Sequence, residues 1–163
     1  MKNAPVVFFC LVILAVVPAS AEGNCTKIDD SSRPDCPQAL VFFKRLKLAI
    51  KKNDRQSVAS MIHYPLLTTA HDKPIHIRNR QQLLSRFNQI FDPEVRCAIL
   101  DSTEKDVWGN LQGFTIGGGA VWFDGIIPAT EKPDLTAPGY WTKYPLKIVT
   151  VNNGSSYDCR SRE

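Results

Sequence analysis

The stretch LQGFTIGGGAVWFDGII, residues 111–127, decides the fold class. Aromatic and β-branched side chains stand on either side of three glycines, which is the composition of two half-buried strands and a turn. Leu111–Ile116 and Ala120–Ile127 are therefore expected as antiparallel strands, with Gly117-Gly118-Gly119 as a tight hairpin turn because glycine enters positive φ freely. Strand alternation puts Gln112, Phe114 and Ile116 on one face, and sets Val121 and Phe123 against Ala120, Trp122 and Asp124. A phosphate-cradling reading of the glycines is excluded, since GxxxxGK[ST] is absent and no helix follows.

Working outward, Val107-Trp108 is a further short strand and Leu146–Val151 a last one, with an irregular excursion rich in proline from Pro128 to Pro145 between them. Upstream the period changes. Pro37 suits the first helical position, and Ala39, Phe42, Phe43, Leu46, Ala49 and Ile50 recur at spacings of three and four, so one helical face is buried up to about Asn53. Asp54 caps a second helix carrying Val58, Met61 and Ile62, which is expected to stop at Tyr64 because Pro65 disfavours helical geometry before it. Leu66–Thr69 and Pro74–Ile77 form a hairpin. Asn79 with Gln82 resembles a capping box for a helix through Leu83, Leu84, Phe87, Ile90 and Phe91, and Asp92-Pro93 starts another that presents Cys97. Helices first and strands later give an α+β class: a single domain of N-terminal helices packed against a curved antiparallel sheet.

The 163 residues are 44% hydrophobic and 22% charged, which excludes a disordered chain and several large domains. Met1–Ala21 has the form of a secretion leader: Lys2, an apolar run from Val6 to Val17, and an Ala19-Ser20-Ala21 cleavage site. That run is shorter than the ~20 residues of a bilayer span, so no stable membrane span is expected. The chain then divides into leader 1–21, polar lead-in 22–36, α+β domain 37–151 and tail 152–163, in a periplasmic or secreted location. The formal net charge of +4 loses Lys2 with the leader. The remaining cluster of Lys44, Arg45, Lys47, Lys51 and Lys52 reads as the wet face of the first helix, and no nucleic-acid partner is expected. Cys10 also leaves, so Cys25, Cys36, Cys97 and Cys159 remain in an oxidising compartment and imply two disulfides. Of the three pairings, Cys25–Cys36 closes a short loop and Cys97–Cys159 fastens the tail.

Tyr64-Pro65-Leu66, Ile77-Arg78-Asn79-Arg80, Leu83-Leu84, Phe87, Ile90-Phe91, Gln112-Gly113-Phe114, Ile116–Gly119 and Val121-Trp122-Phe123 together resemble a pattern in small exported bacterial proteins without assigned activity. Across residues 37–151 the order of elements resembles the nuclear transport factor 2-like superfamily, also called the SnoaL-like or cystatin-like cone. The resemblance implies a sheet wrapped around the long first helix with a pocket inside. Catalytic members commonly pair Asp or His with Tyr in the cone, and no motif here fixes such a pair.

The candidate pocket residues are His63, Tyr64, Gln112, Trp122 and Asp124, polar groups among apolar walls. His63 or Asp124 beside Tyr64 is the arrangement an isomerase, dehydratase or cyclase would need, but no catalytic residue is assigned. His71 and His76 flanking Asp72 lack metal-site spacing on a helix, so neither metal nor cofactor is expected. The reading that remains is an exported, non-catalytic binding or interaction protein of the bacterial envelope. Its partner would be an envelope protein, a small apolar ligand or, as a homodimer, a second copy. The segment Ile126–Tyr144, with Tyr140-Trp141 at its tip, is one candidate docking surface.

Overall fold

Pro37 and Pro93, which lack the N–H that a first helical turn leaves unpaired, sit at the starts of the two longest helices. The computed structural model describes residues 35–70, 73–134, 136–137 and 139–154. The expected leader, most of the lead-in, Cys25, His71, Asp72, and the tail beyond residue 154 with Cys159 lie outside them. In chain order the elements are α1 (Cys36–Lys51), α2 (Arg55–Ser60), β1 (Ile62–Ala70), β2 (Lys73–Ile77), α3 (Arg80–Ser85), α4 (Phe87–Ile90), α5 (Pro93–Asp101), β3 (Trp108–Asn110), β4 (Gly113–Ile116), β5 (Val121–Gly125), α6 (Tyr140–Lys143) and β6 (Leu146–Asn152). They form one α+β domain with a six-stranded sheet in the order β2-β1-β6-β5-β4-β3.

The caps follow the sequence. Asp54 accepts from Ser57 N–H at 3.0 Å and Asp92 from Val95 N–H at 2.8 Å. Asn79 accepts from Gln82 N–H at 2.9 Å, while the Gln82 side chain reaches back to Arg78 N–H at 2.7 Å, one residue earlier than a strict capping box. The six apolar residues expected on the buried face of α1 are all buried. Phe42 of that face stacks on Phe123 of β5, ring centroids 4.7 Å apart, and Phe123 stacks on Phe114 of β4 at 5.6 Å. Helices and the inner face of the sheet thus share one core, which includes Leu66, Ile77, Ile116, Val121, Ile148 and Val151.

The structure corrects several expectations. The sheet is mixed, because β6 runs parallel to β1 with Ile62 opposite Ile148 and Thr68 opposite Val151. Parallel neighbours require a long crossover, and everything between residues 70 and 146 supplies it. Alternation along a strand carries no information about the direction of its partner. The second helix stops at Ser60 and not at Tyr64, which lies within β1. The Tyr64-Pro65 peptide is cis, at a register shift between Ile62 and Leu67, the kind of irregularity where a strand tolerates proline. The three glycines form a 3₁₀ turn with φ of 60°, 61° and 98°, wider than the tight hairpin expected, although β4 and β5 still pair antiparallel. Tyr140, expected at an exposed tip, is 7% exposed and packs edge-to-face on Tyr144 at 5.6 Å, since α6 folds the excursion back on the domain.

Long-range polar contacts close the parallel seam. Thr68 Oγ1 donates to the Val151 carbonyl at 2.6 Å. Just after β6, Asn153 Nδ2 is shared among the carbonyls of Gln89 and Ile90 and the Asp92 carboxylate at 2.9 to 3.0 Å, anchoring the end of the last strand to the α4–α5 junction.

Candidate functional site

The five residues expected to line an internal pocket are dispersed. Tyr64 is half-buried against the core, and its hydroxyl donates to the Ala59 carbonyl at 3.1 Å. His63, its neighbour in the strand, is exposed. Gln112 is exposed in the turn between β3 and β4. Trp122 was expected in the pocket, but Val121 and Phe123 take the inner face and Trp122 points to the other side, where it meets Trp108 edge-to-face at 6.2 Å. Asp124, partly exposed, is opposite Lys147 in the β5–β6 register. Phe42, Phe114 and Phe123 stack together between α1 and the inner face of the sheet. Among the described residues no group of three or more His, Cys, Asp or Glu side chains could hold a metal ion.

Burial gives Tyr64 one measurable property. Loss of solvation raises its hydroxyl from an ordinary value of 10.0 to about 12, opposed by the Arg80 charge. Because the folded value exceeds the unfolded one, the neutral phenol's contribution to stability is fully present below pH 10. It is lost as pH rises through the interval from 10 to about 12. Tyr144 is also raised, by its hydrogen bond to Glu131, so the test is a difference titration of tyrosinate absorbance. Tyr64→Phe is expected to remove a late-ionising step, and loss of an ordinary step near pH 10 would contradict it.

Two surfaces with functional chemistry lie elsewhere. The first is the outer face of the sheet, where the strand registers place Trp108, Thr115, Trp122, Thr150, Leu67 and His76 in one row across all six strands. Trp108 and Leu67 in that row are 46% and 50% exposed. The row was hidden in the sequence because its members come from strands as distant as β1 and β6.

The second is a cleft of about 660 Å³ between the N-terminal half of α1, the Ser60-Met61 corner and residues 142–147. Val41, Phe42, Met61 and Leu146 line it with apolar surface, and Arg45, Lys143 and Lys147 with positive charge. Lys147 Nζ donates to the Ser60 carbonyl at 2.6 Å. Lys143 and the Tyr144 hydroxyl share the Glu131 carboxylate at 2.6 and 2.7 Å. Those two hydrogen bonds, Lys143 first, hold the Glu131 carboxyl below its ordinary range. Arg45 belongs to the charge run that the sequence presents as an ordinary wet helix face, and no local pattern marks it out.

None of the five candidate pocket residues lines this cleft. No helix among the described residues is long and apolar enough to cross a membrane. Compared with protein-family models, curated proteins and solved structures, the chain finds no match in any of the three.

Proposed function

We propose that this chain is an exported, non-catalytic interaction protein that docks through the outer face of its sheet, with a second copy of itself as the partner. The observation that carries the reading is the cross-strand row from Trp108 to His76, which leaves Trp108 and Leu67 exposed on either side of a buried Thr115. Its ends differ in bulk. The β3–β5 end carries Trp108 and Trp122, whereas the β6–β1 end carries Thr150 and Leu67. A two-fold axis between β5 and β6 sets the bulky half of one copy on the slimmer half of the other, the self-complementarity that a symmetric dimer needs. Aromatic side chains often anchor such interfaces.

In this reading the fold is a cone of the nuclear transport factor 2-like type, supported by the order of elements and the long first helix laid on the inner face of the sheet. Met1–Ala21 directs export to the periplasm or beyond. The bridges Cys25–Cys36 and Cys97–Cys159 hold the two ends, a pairing that rests on the even number of cysteines left in an exported chain. The alternative, an isomerase, dehydratase or cyclase, requires His63 or Asp124 beside Tyr64. The Tyr64 hydroxyl is instead committed to Ala59, and His63 is exposed.

One preparation of secreted chain, purified without reductant, tests these points. Peptide mapping is expected to give the two linked cysteine pairs and no free thiol. Sedimentation is expected to give a dimer at roughly micromolar concentration, weakened about tenfold or more by Trp108→Glu and by Leu67→Glu with the helical signal unchanged. A monomer at all concentrations, or a dimer indifferent to both substitutions, would overturn the docking face. Free thiols would remove the export reading.

A further inference from the structure

The cleft beside α1 is independent of the outer sheet face, and its walls are chemically one-sided. Its lining includes three cations and no acidic side chain. Lys143 is already matched by Glu131. Among the described residues Lys147 makes one hydrogen bond, to the Ser60 carbonyl, with Asp124 across from it in the β5–β6 register, and an ammonium has three hydrogens to give. Arg45 is exposed at the rim, and among the described residues it makes no hydrogen bond or ion pair. Two cationic donors of the cleft thus keep capacity for an anion, one of them a guanidinium whose planar fork matches a carboxylate.

The rest of the lining is apolar. Val41, Phe42, Met61, Pro145 and Leu146 surround the same space, and Val41 is 57% exposed there. A volume of about 660 Å³ falls within the roughly 300–1,000 Å³ of small-molecule sites. A purely apolar ligand would leave the cations unused, and a small inorganic anion would leave the apolar surface wet. We infer that the cleft binds a single-chain anionic amphiphile, an alkyl carboxylate whose headgroup meets Arg45 and Lys147 and whose chain lies on Val41, Phe42, Met61 and Leu146.

The test uses the full mature chain and decanoate below its micelle concentration, followed by calorimetry and by backbone amide shifts. Decanol and decyltrimethylammonium serve as neutral and cationic counterparts of equal chain length, and acetate as the headgroup alone. Saturable binding of decanoate is expected, with the largest shifts at Val41, Met61 and Leu146. Decanol and the trimethylammonium compound should bind about tenfold more weakly or worse, because a charge-assisted hydrogen bond is lost or reversed. Each methylene added to the carboxylate chain should tighten binding by about twofold to fourfold. Arg45→Glu, a change on an exposed helical position, is expected to weaken decanoate about tenfold, while Lys51→Glu on the same helix outside the cleft stays within about twofold. Equal binding of decanol, absence of saturation, or shifts that fall elsewhere would each overturn the proposal, as would indifference to Arg45→Glu. None of these outcomes depends on self-association, so the two surfaces are judged separately.

Discussion

Phe123→Ala is expected to remove about 4 kcal/mol of stability, a large part of the roughly 5–15 kcal/mol that holds a domain of this size. Phe123 is fully buried on β5, and its ring is stacked between Phe42 of the first helix and Phe114 of the neighbouring strand. Truncation therefore loses the transfer energy of the ring and leaves a hole whose walls belong to three elements tied into the sheet and α1. Such walls collapse poorly, which places the cost toward the upper part of the range for phenylalanine deletions. Phe123→Leu keeps most of the volume and is expected to cost about 1–1.5 kcal/mol. Urea unfolding of the purified chain measures both. A loss below about 1.5 kcal/mol for the alanine variant would mean that this interior is loosely filled.

Gly117→Ala is the second large effect, at about 2–5 kcal/mol, and its origin is different. Gly117 has φ of +60°, and an added Cβ would meet the Ala98 Cβ at 2.7 Å and the Ala98 carbonyl carbon at 3.2 Å. Left-handed backbone costs an L-residue roughly 1–2 kcal/mol, and overpacking against α5 adds roughly 1–3 kcal/mol. Gly154 separates the two contributions, because it has φ of +87° and nothing within 4 Å of its own added Cβ. Gly154→Ala is expected to show the backbone cost alone, about 1 kcal/mol. If the two variants lose equal stability, the close approach of the glycine turn to α5 has no energetic weight.

Several elements were legible because their determinants are local. Asp54, Asn79 and Asp92 each cap a helix by bonding to an N–H three residues on, and the α1 stripe needs only the helical period. What escaped depends on residues far apart in the chain. Trp122 and Phe123 are adjacent aromatics, and alternation says that they point opposite ways without saying which one is wet; Phe42, some eighty positions earlier, decides it by stacking on Phe123. Tyr64 reads as a helix end because the rule for the residue before proline excludes helix without specifying the strand that replaces it. The candidate site suffered most. A cavity is defined by surfaces that fail to meet, so Arg45 and Lys147 had no local signature, and the polar residues that seemed suited to a pocket were distributed over both faces and one turn.

The position of β6 has a consequence for how the chain reaches this state. The last strand, Leu146–Asn152, lies in the interior of the sheet between β1 and β5, and it bridges a hairpin from the first half of the chain to a meander from the second. Neither half can complete the sheet without it, so assembly waits for the arrival of the C-terminal residues and proceeds through contacts of long sequence separation, which are slow to form. Until β6 arrives, the β1–β2 hairpin and the β3–β4–β5 meander have no strand to join them, so the cohesion of the whole sheet rests on seven residues near the end of the described chain.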